Sequence, residues 1–484
     1  MGPYIYIYIY IYNSLARTHF SYRKVKESRS MNMRAMVACL HEQSSEMSPL
    51  HELKVVEKCR ISPAAGNCGE TRLHYVPLSF FDILFLHFPP VQRLFFYKLP
   101  ITKTQLLNSE LPKLKQSLSI ALRHFYPLAG SLTVSTTKPP SIHCSDSDTV
   151  AVTAAISSDN FYELSSHHPR AAARFHPLLP LLPEDAILSV QVTLFPNYGI
   201  AIGTTLHHAA ADGSSYTHFM KTWAAISKLG DNTALSLLPQ PCFDRGLISD
   251  ARGLGGLFIK DMKELKIERS LAVWDLSCMP NVVRATFVLG PDEIRRLGRR
   301  TVTRCSPYAL ACGLTWASLV RARVETNGRK ERFGFVTGCR PRLRPAIPAA
   351  YFGNCLGICF VEMRKEELVG ERGAAAAAEA VWEVIRGLET GVFEEVENWV
   401  RSMNEYAEAR ALTVAGSPKL GLYGVEFGWG RPTKVELVSI EKTGALSLAD
   451  SGEVDGGIEV GIALPAREME LLVGSFVAEL AESD

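Results

Sequence analysis

The sequence predicts a mixed α/β protein made of two domains. A chain of 484 residues is longer than one hydrophobic core normally supports, so two domains are expected. Strand-like and helix-like patterns alternate in both halves of the chain, which favours two units that each combine a sheet with helices. No glycine-rich phosphate loop follows a predicted strand, and this argues against a dinucleotide-binding fold.

Composition and charge limit the possible partners. The formal net charge is only +2, which argues against nucleic acid as the main partner. The 11 cysteines are scattered without a Cys-x-x-Cys pair, so they indicate reduced core residues of a cytoplasmic protein rather than a disulfide framework. We therefore expect a globular protein that binds small molecules.

Residues 1–50 are expected to be disordered, or to result from a wrongly assigned start. Tyr4 to Tyr12 alternates tyrosine with isoleucine, a low-complexity pattern that no basic segment precedes, so it does not resemble a signal peptide. Met31, Met33 and Met36 are alternative starts. Further on, Leu78 to Phe96 is very apolar, but it is too short and interrupted to span a membrane, and it predicts a buried helix and turn.

The regular elements of the first half follow from hydrophobic periodicity. Order is expected to begin near Leu53, and an amphipathic helix is predicted from Leu111 until Pro127 ends it. Short β-prone runs predict the strands of a sheet, since their apolar residues are flanked by turn residues. These strands are predicted at 142–144, 149–155, 186–194 and 198–206.

The second half shows the same alternation after a Pro-rich connector that begins at Ala234. A helix is predicted to start after Ser306, with Pro307 in its first turn, and an alanine run predicts a long helix from Glu371 to Leu388. The remaining elements are a final helix, a charged helix at 292–299, and strands at 283–289, 333–337, 434–440 and 457–464.

The most informative stretch runs from Asn197 to Gly213. A buried strand is predicted to end at two histidines, and a helix opens after Asp212, so the His208 side chain lies where a rigid strand meets a helix. His208 and Asp212 form His-x-x-x-Asp. On these residues alone a structural histidine remains possible, a metal site lacks further ligands at the right spacing, and a serine hydrolase lacks its Gly-x-Ser-x-Gly elbow.

Two further motifs make a family resemblance specific. Val425 to Pro432 contains Glu-Phe-Gly-Trp-Gly, and Tyr351 to Cys355 reads Tyr-Phe-Gly-Asn-Cys. With His-x-x-x-Asp, these motifs resemble the BAHD acyltransferases, and in particular the branch that acylates anthocyanins and phenolic glucosides, often with malonyl groups. The resemblance extends from about Val55 to the C-terminus and includes Ser79 to Asp82, Tyr126 to Gly130 and Gly456 to Glu459.

The resemblance implies a fold similar to chloramphenicol acetyltransferase, with two domains and an active-site channel between them. The N-terminal domain would comprise residues 51–233, the connector 234–255 and the C-terminal domain 256–484. It also implies that acyl-CoA is a co-substrate, that the acceptor is a small phenolic glycoside, and that no cofactor or metal is bound. We further expect a cytoplasmic monomer that binds neither nucleic acid nor membrane.

Residue roles are implied by the same resemblance. His208 would be the general base, and its neighbour His207 would point away, because successive strand residues face opposite sides. Asp212 would not form a catalytic relay. It would position the His208 loop by pairing with Arg340 across the domains.

The Glu-Phe-Gly-Trp-Gly loop is expected to be structural, with Glu426 in place of the family's aspartate. Its residues Phe427, Gly428 and Gly430 would form a packed turn, while Trp429 would be either an oxyanion donor or a structural residue. Gly338 is a further departure from the family, at a position where aspartate is common. These departures leave room for a non-catalytic binding relative.

Malonyl-CoA is the expected donor, with a hydroxycinnamoyl thioester as the alternative. A malonyl carboxylate suits an arginine fork, and Arg170 and Arg174 lie in the region where malonyl-using relatives place such a residue, although a solvated loop is an equally good interpretation. Lys260 and Lys263 are candidates for the coenzyme A phosphates, without a motif to support them.

Overall fold

The computed structural model describes residues 52–65, 74–135, 138–230, 238–267, 279–323, 330–389, 391, 393 and 395–481. The prediction for residues 1–50 lies outside these ranges. The described chain forms two large mixed sheets and one small sheet, with helices packed on them. The predicted fold class is therefore correct at the level of the elements.

Sixteen strands are present in the described residues, and each of the large sheets combines antiparallel with parallel pairs. The strands are β1 Leu53–Ile61, β2 Tyr75–Pro77, β3 Val91–Lys98, β4 Ser131–Thr133, β5 Ser141–His143, β6 Val150–Ser157, β7 Arg170–Ala171, β8 Leu188–Phe195, β9 Gly199–Leu206, β10 Val282–Leu289, β11 Lys330–Gly338, β12 Leu356–Arg364, β13 Leu412–Ala415, β14 Lys434–Leu437, β15 Leu446–Asp450 and β16 Ile458–Pro465.

The α-helices range from single turns to long amphipathic segments. They are α1 Phe80–Ile83, α2 Lys103–Gln105, α3 Leu111–His124, α4 Phe161–Leu164, α5 Gly213–Leu229, α6 Leu254–Glu264, α7 Pro291–Arg299, α8 Pro307–Ala322, α9 Lys365–Val369, α10 Gly373–Gly387, α11 Trp399–Glu408, α12 Ile440–Thr443 and α13 Ala466–Ala481. None of the helices in the described ranges is long and apolar enough to cross a bilayer.

The first large sheet has the strand order β1-β6-β8-β9-β3-β14. Strands β8 and β9 are buried along their whole length, which explains their nearly continuous apolar sequences. Helices α3 and α5 belong to the core that covers one face of this sheet. Trp223 of α5 donates its indole N–H to the Ser117 hydroxyl of α3 at 3.1 Å, so the two helices are also joined inside that core.

The second large sheet has the order β12-β11-β13-β15-β16-β10-β7, and a separate core forms between it and helices α8, α10 and α13. The alanine run of α10 has a packing role as well as a helix propensity. Gly313 of α8 lies so close to α10 that an added Cβ would approach the Ala378 backbone nitrogen to 2.4 Å, so the two helices cross with their backbones nearly in contact.

Each large sheet contains one strand from the other half of the sequence. Strand β14 pairs with β3 at the edge of the first sheet, and β7 pairs with β10 at the edge of the second. Helix α6 also packs against α1 in the core of the first sheet. The halves therefore interlock, and the boundaries at 234–255 stay a prediction.

Two predicted elements differ from the structure. Leu78 to Phe96 was expected to form a buried helix and turn, but only Phe80–Ile83 is helical and Val91–Lys98 is a central strand. The strand predicted at 434–440 ends at Leu437, and a short helix begins at Ile440. Both differences involve pairing between β3 and β14, which are far apart in sequence, so no local pattern indicates it.

Buried ion pairs connect β7 and β14, the strands that each large sheet receives from the other half of the chain. Arg170 of β7 and Arg284 of β10 both bind Glu436 of β14, at 2.9 and 3.3 Å, and all three side chains are almost fully buried. Arg284 also binds Glu441, whose other oxygen lies 2.6 Å from Nε2 of His176. This group joins both large sheets, so we expect it to stabilise the interlocked fold.

Burial raises the pKa of the Glu436 carboxyl, but the nearby charges of Arg170, Lys434 and Arg284 outweigh burial and lower it to about 2. Because its folded-state pKa lies below the ordinary value of 4.5, the stabilisation is fully present above pH 4.5 and is lost as the pH falls through 2.

We predict that Glu436→Gln lowers the free energy of unfolding by about 3–5 kcal/mol at neutral pH, because the buried Arg170 loses its carboxylate and Arg284 keeps only Glu441. The matched control is Glu362→Gln, which removes a more exposed carboxylate bonded to Arg332 and should cost about 0–1 kcal/mol. Chemical denaturation monitored by tryptophan fluorescence measures both. Equal losses in the two variants would contradict the role of the buried group.

Candidate active site

His208 lies directly after strand β9, in a short 3₁₀ turn that leads to helix α5. Its imidazole stacks on the Phe85 ring, with centroids 4.1 Å apart and planes at 9°, and meets the edge of Phe88 at 6.0 Å. Both phenylalanines belong to the apolar segment that follows α1. The ring is therefore held against an aromatic wall, which restricts its rotation.

The surroundings of His208 disfavour its protonated form, mainly because the ring is buried. Burial lowers the pKa of His208 below its ordinary value of 6.5, and the positive charge of Arg93 lowers it further. The His208 carbonyl, the Asp212 carboxylate and the Asn354 side chain oppose that shift without cancelling it. A neutral imidazole near pH 7 can accept a proton, as a general base must.

His207 occupies a different environment from His208. Its side chain is buried, and its Nδ1 accepts a hydrogen bond from the Ala209 backbone N–H at 3.3 Å. His207 is thus the N-cap of the 3₁₀ turn that carries His208. The two adjacent histidines are placed in different settings, one capping the backbone and one stacked on aromatic rings.

Asp212 is the N-cap of α5, and its carboxylate is turned towards the second half of the chain. It accepts the backbone N–H groups of Ser215 at 2.9 Å and Cys355 at 3.1 Å. Arg340 binds it through both terminal nitrogens, at 2.6 and 3.1 Å. Among the described contacts, no hydrogen bond joins this carboxylate to the His208 ring.

Arg340 makes further contacts that fix the Tyr351–Cys355 loop. One of its terminal nitrogens lies 3.1 Å from the Tyr351 carbonyl, 2.9 Å from the Gly353 carbonyl and 3.0 Å from the Ser215 hydroxyl. That hydroxyl in turn accepts the Gly353 N–H at 3.1 Å. The start of α5 and this loop are therefore held by one network of buried polar groups.

Asn354 links the loop to the His208 backbone. Its side-chain amide donates to the His208 carbonyl and to Asp82, both at 3.0 Å. Asp82 is fully buried, accepts the Asn354 backbone N–H at 2.7 Å and also forms the capping box of α1 with Ser79. We refer to Asp82, Asp212, Ser215, Arg340 and Asn354 as the interface cluster.

The sequence motifs contain Asp82 and Asn354 but do not indicate a role for either residue. One signal was available for Asp82: a Ser-x-x-Asp pattern in front of an apolar run is typical of a capping box, and a carboxylate inside such a run needs buried partners. Nothing local identified Asn354 as that partner, because it lies 272 residues further along the chain.

The Trp429 side chain packs against aromatic neighbours, and its indole N–H has an internal acceptor. Its indole N–H donates to the Glu110 carboxylate at 2.8 Å, and its ring lies against Tyr97 and Phe427 at centroid distances of 5.5 and 5.6 Å. Because this N–H already has an acceptor, the contacts favour the structural alternative over the oxyanion donor.

The rest of the Glu-Phe-Gly-Trp-Gly loop holds the far end of α5. Glu426 binds Lys228 in the last turn at 3.0 Å, and Phe427 meets Trp223 edge-on at 4.9 Å. Gly428 and Gly430 have φ of +98° and +90°, a conformation that L-residues with a side chain rarely adopt. The Glu426 carboxylate therefore reaches the last turn of α5 through a partly exposed ion pair, while the Phe427 ring supplies the buried contact.

The other departure from the family causes no strain. A Cβ added at Gly338 would meet nothing within 4 Å, so the position tolerates either residue.

The contacts of Arg170 and Arg174 argue against their predicted role as malonyl ligands. Arg170 is fully buried and bonded to Glu436 and to the Leu164 carbonyl. Arg174 binds Asp159 and Glu163, the latter at 2.7 Å. Both terminal nitrogens of each arginine are bonded to internal partners, so neither offers an open fork to a substrate.

Lys260 and Lys263, the candidates for binding the coenzyme A phosphates, both lie on helix α6. The Lys260 side chain is 70% exposed, and its ammonium nitrogen lies 3.8 Å from the Glu264 carboxylate. These contacts do not test coenzyme A binding, so that role stays a prediction. In the ranges that the structure describes, no group of three or more His, Cys, Asp or Glu side chains is arranged to hold a metal ion.

We predict that Asp212→Asn and Arg340→Ala each lower stability by about 3–5 kcal/mol, because each leaves one buried charge unpaired. Both should also reduce turnover, since the loop carrying His208 loses its anchor. The double variant should lose little beyond either single change, because both remove the same pair. Denaturation and steady-state kinetics on the four proteins form the test. Additive losses would show that the two residues act independently.

Comparisons with known proteins agree with this geometry. The transferase family model matches residues 52–478. The chain is 36% identical to phenolic glucoside malonyltransferase 2 of Arabidopsis thaliana, covering 88% of this chain and 98% of that protein. It is 34% identical to malonyl-coenzyme A:anthocyanin 3-O-glucoside-6''-O-malonyltransferase of Dahlia pinnata, with 88% and 96% covered.

A relative with another donor is also similar. Coumaroyl-CoA:anthocyanidin 3-O-glucoside-6''-O-coumaroyltransferase 2 of Arabidopsis thaliana is 33% identical, with 87% and 96% covered. Among solved structures, vinorine synthase superimposes with a TM-score of 0.67 at 22% identity, over 87% of this chain and 96% of that one. The chain therefore belongs to the transferase family of BAHD acyltransferases and is an acyl-transferring enzyme.

Proposed function

We propose that this enzyme transfers malonyl from malonyl-CoA to a sugar hydroxyl of a phenolic, flavonoid or anthocyanin glucoside. The names of the similar malonyltransferases support the donor and the acceptor class. The observation that carries the proposal is the neutral, aromatic-packed His208 beside the interface cluster.

His208 acts as the general base through Nε2. Its Nδ1 is buried and makes no hydrogen bond within the described part of the chain, whereas the residue as a whole is only half-buried. Nε2 is therefore the nitrogen that can meet a substrate hydroxyl. A sugar hydroxyl is a weak nucleophile at neutral pH, so removing its proton during attack lowers the barrier.

The reaction needs no further reactant. The hydroxyl oxygen attacks the thioester carbonyl carbon while Nε2 takes the hydroxyl proton. The carbon–sulfur bond then breaks, and the imidazolium returns the proton to the departing coenzyme A sulfur. The products are the malonyl ester and free coenzyme A, and the neutral imidazole is restored. The interface cluster holds the His208 backbone in place throughout.

We also propose that the enzyme works as a cytoplasmic monomer. The proposed base and its supporting residues come from a single chain, so no second copy is required. The cysteines within the described ranges are all free thiols, which fits a reducing compartment.

A second candidate function is transfer of a hydroxycinnamoyl group to the same acceptors, which the similarity to a coumaroyltransferase supports. A donor panel separates the two. Malonyl-, coumaroyl- and acetyl-CoA are each incubated with a phenolic glucoside while free thiol is measured. We expect the highest kcat/KM with malonyl-CoA. A higher value with coumaroyl-CoA would favour the second candidate, and absence of thiol release with every donor would favour a binding relative.

We predict that His208→Ala abolishes transfer, because it removes the imidazole proposed to accept the hydroxyl proton. The control is His207→Asn, which retains a side chain able to cap the turn and should keep substantial activity. Equal losses in both variants would contradict the assignment.

For the unaltered enzyme, the rate is lost on protonation of His208, so kcat/KM should rise through an apparent pKa below 6.5 and stay level above it.

A further inference from the structure

Arg93 is a buried cation whose surroundings differ from those of the other buried arginines. It lies on β3 and is only 4% exposed, yet its Nε and one terminal nitrogen are buried without a hydrogen-bond partner among the described residues. In contrast, Arg170, Arg284 and Arg340 each bind at least one carboxylate. Arg93 is thus a buried guanidinium without a partner anion in the described structure.

The groups around Arg93 do not supply the missing acceptor. Its guanidinium lies over the Tyr216 ring at 5.1 Å, a cation–π contact that provides no hydrogen-bond acceptor for the unpaired Nε and terminal nitrogen. Its neighbours on the sheet are Thr204 of β9 and Leu437 of β14. The Thr204 hydroxyl is already paired with the Tyr216 hydroxyl, at 2.7 Å.

Keeping an unpaired guanidinium in the interior is costly, because its N–H donors lose water without gaining another acceptor. Burial lowers the pKa of Arg93, opposed by the electrostatic influence of Tyr216. An apolar side chain of similar length would fill the same space without this cost. The position therefore suits a residue that receives its acceptor from a ligand.

Arg93 also lies close to the proposed base. It pairs with Thr204 on β9, two residues before the end of the strand that leads to His208, and its charge lowers the pKa of the His208 imidazole. The ring that it covers, Tyr216, belongs to the first turn of α5, just after Asp212. Arg93 and His208 are thus brought together by β3, the end of β9 and the start of α5.

We propose that Arg93 binds the carboxylate of the malonyl donor. The inference rests on the proposed function and replaces the role first predicted for Arg170 and Arg174. In malonyl-CoA a single methylene separates the carboxylate carbon from the reacting carbonyl carbon, so the group that binds the carboxylate must lie beside the base. A guanidinium is also the side chain best matched to a carboxylate, through paired charge-assisted hydrogen bonds.

The first test compares donors in Arg93→Gln. Relative to the unaltered enzyme, kcat/KM should fall by about 10- to 100-fold with malonyl-CoA, since a charge-assisted interaction is lost, and by less than about 3-fold with acetyl-CoA. Arg93→Lys should recover part of the malonyl-CoA activity, because it restores the charge without the planar fork. The matched control is Arg174→Gln, which removes an arginine bonded to internal carboxylates and should leave the donor ratio unchanged.

The second test uses the unaltered enzyme and does not depend on a variant that folds. When the malonyl carboxylate neutralises Arg93, the His208 imidazolium is no longer disfavoured by that charge. The acid limb of kcat should therefore show a higher apparent pKa with malonyl-CoA than with the methyl ester of malonyl-CoA, which has nearly the same shape and no charge.

The outcomes are distinguishable. A preserved donor ratio in Arg93→Gln, or identical acid limbs for the two donors, would overturn the role of Arg93 and leave malonyl transfer standing. If the unaltered enzyme does not use malonyl-CoA but turns over coumaroyl-CoA, the proposed donor and this inference both fail. Selective loss with malonyl-CoA together with separated acid limbs would support the inference.

Discussion

The buried ion pair between Asp212 and Arg340 is the interaction on which the position of His208 depends. It joins the start of α5 in the first half to a loop of the second half, and its burial would be unfavourable without additional hydrogen bonds. Those bonds come from the backbone N–H groups of Ser215 and Cys355, and from carbonyls of the Tyr351–Cys355 loop. The pair therefore stabilises the site only when both halves are in place.

The same helix is held at its other end by the Glu-Phe-Gly-Trp-Gly loop. Lys228 binds Glu426, and Trp223 packs on Phe427, so α5 is fixed at both termini by segments from the second half. Strand β9 enters the site from a fully buried position in the first sheet. His208 lies between these two elements, so the segments that hold α5 also hold the turn that carries the proposed base.

Local pattern predicted the elements that depend on local sequence. The β9–α5 unit and the helix after Ser306 both agree with the structure. The Asp212–Arg340 pairing also agrees with it, but that pairing was implied by the family resemblance and not by local pattern. What local pattern missed is long-range pairing. The exchange of β14 into the first sheet could not be read from the sequence, nor could the partner of Arg170, a carboxylate 266 residues away. The residue type alone does not show whether a buried charge is paired with an opposite charge in the fold.

The most direct measurement of the central claim is backbone hydrogen exchange in the unaltered enzyme and in Arg340→Ala. If the interface cluster acts as one unit, exchange should accelerate together at the Ser215, Gly353 and Cys355 amides, all of which hydrogen-bond within it. The strands of the second sheet should keep their protection. If these amides stayed protected while transfer was lost, Arg340 would act on the reaction by another route, and the claim that the cluster positions His208 would be contradicted.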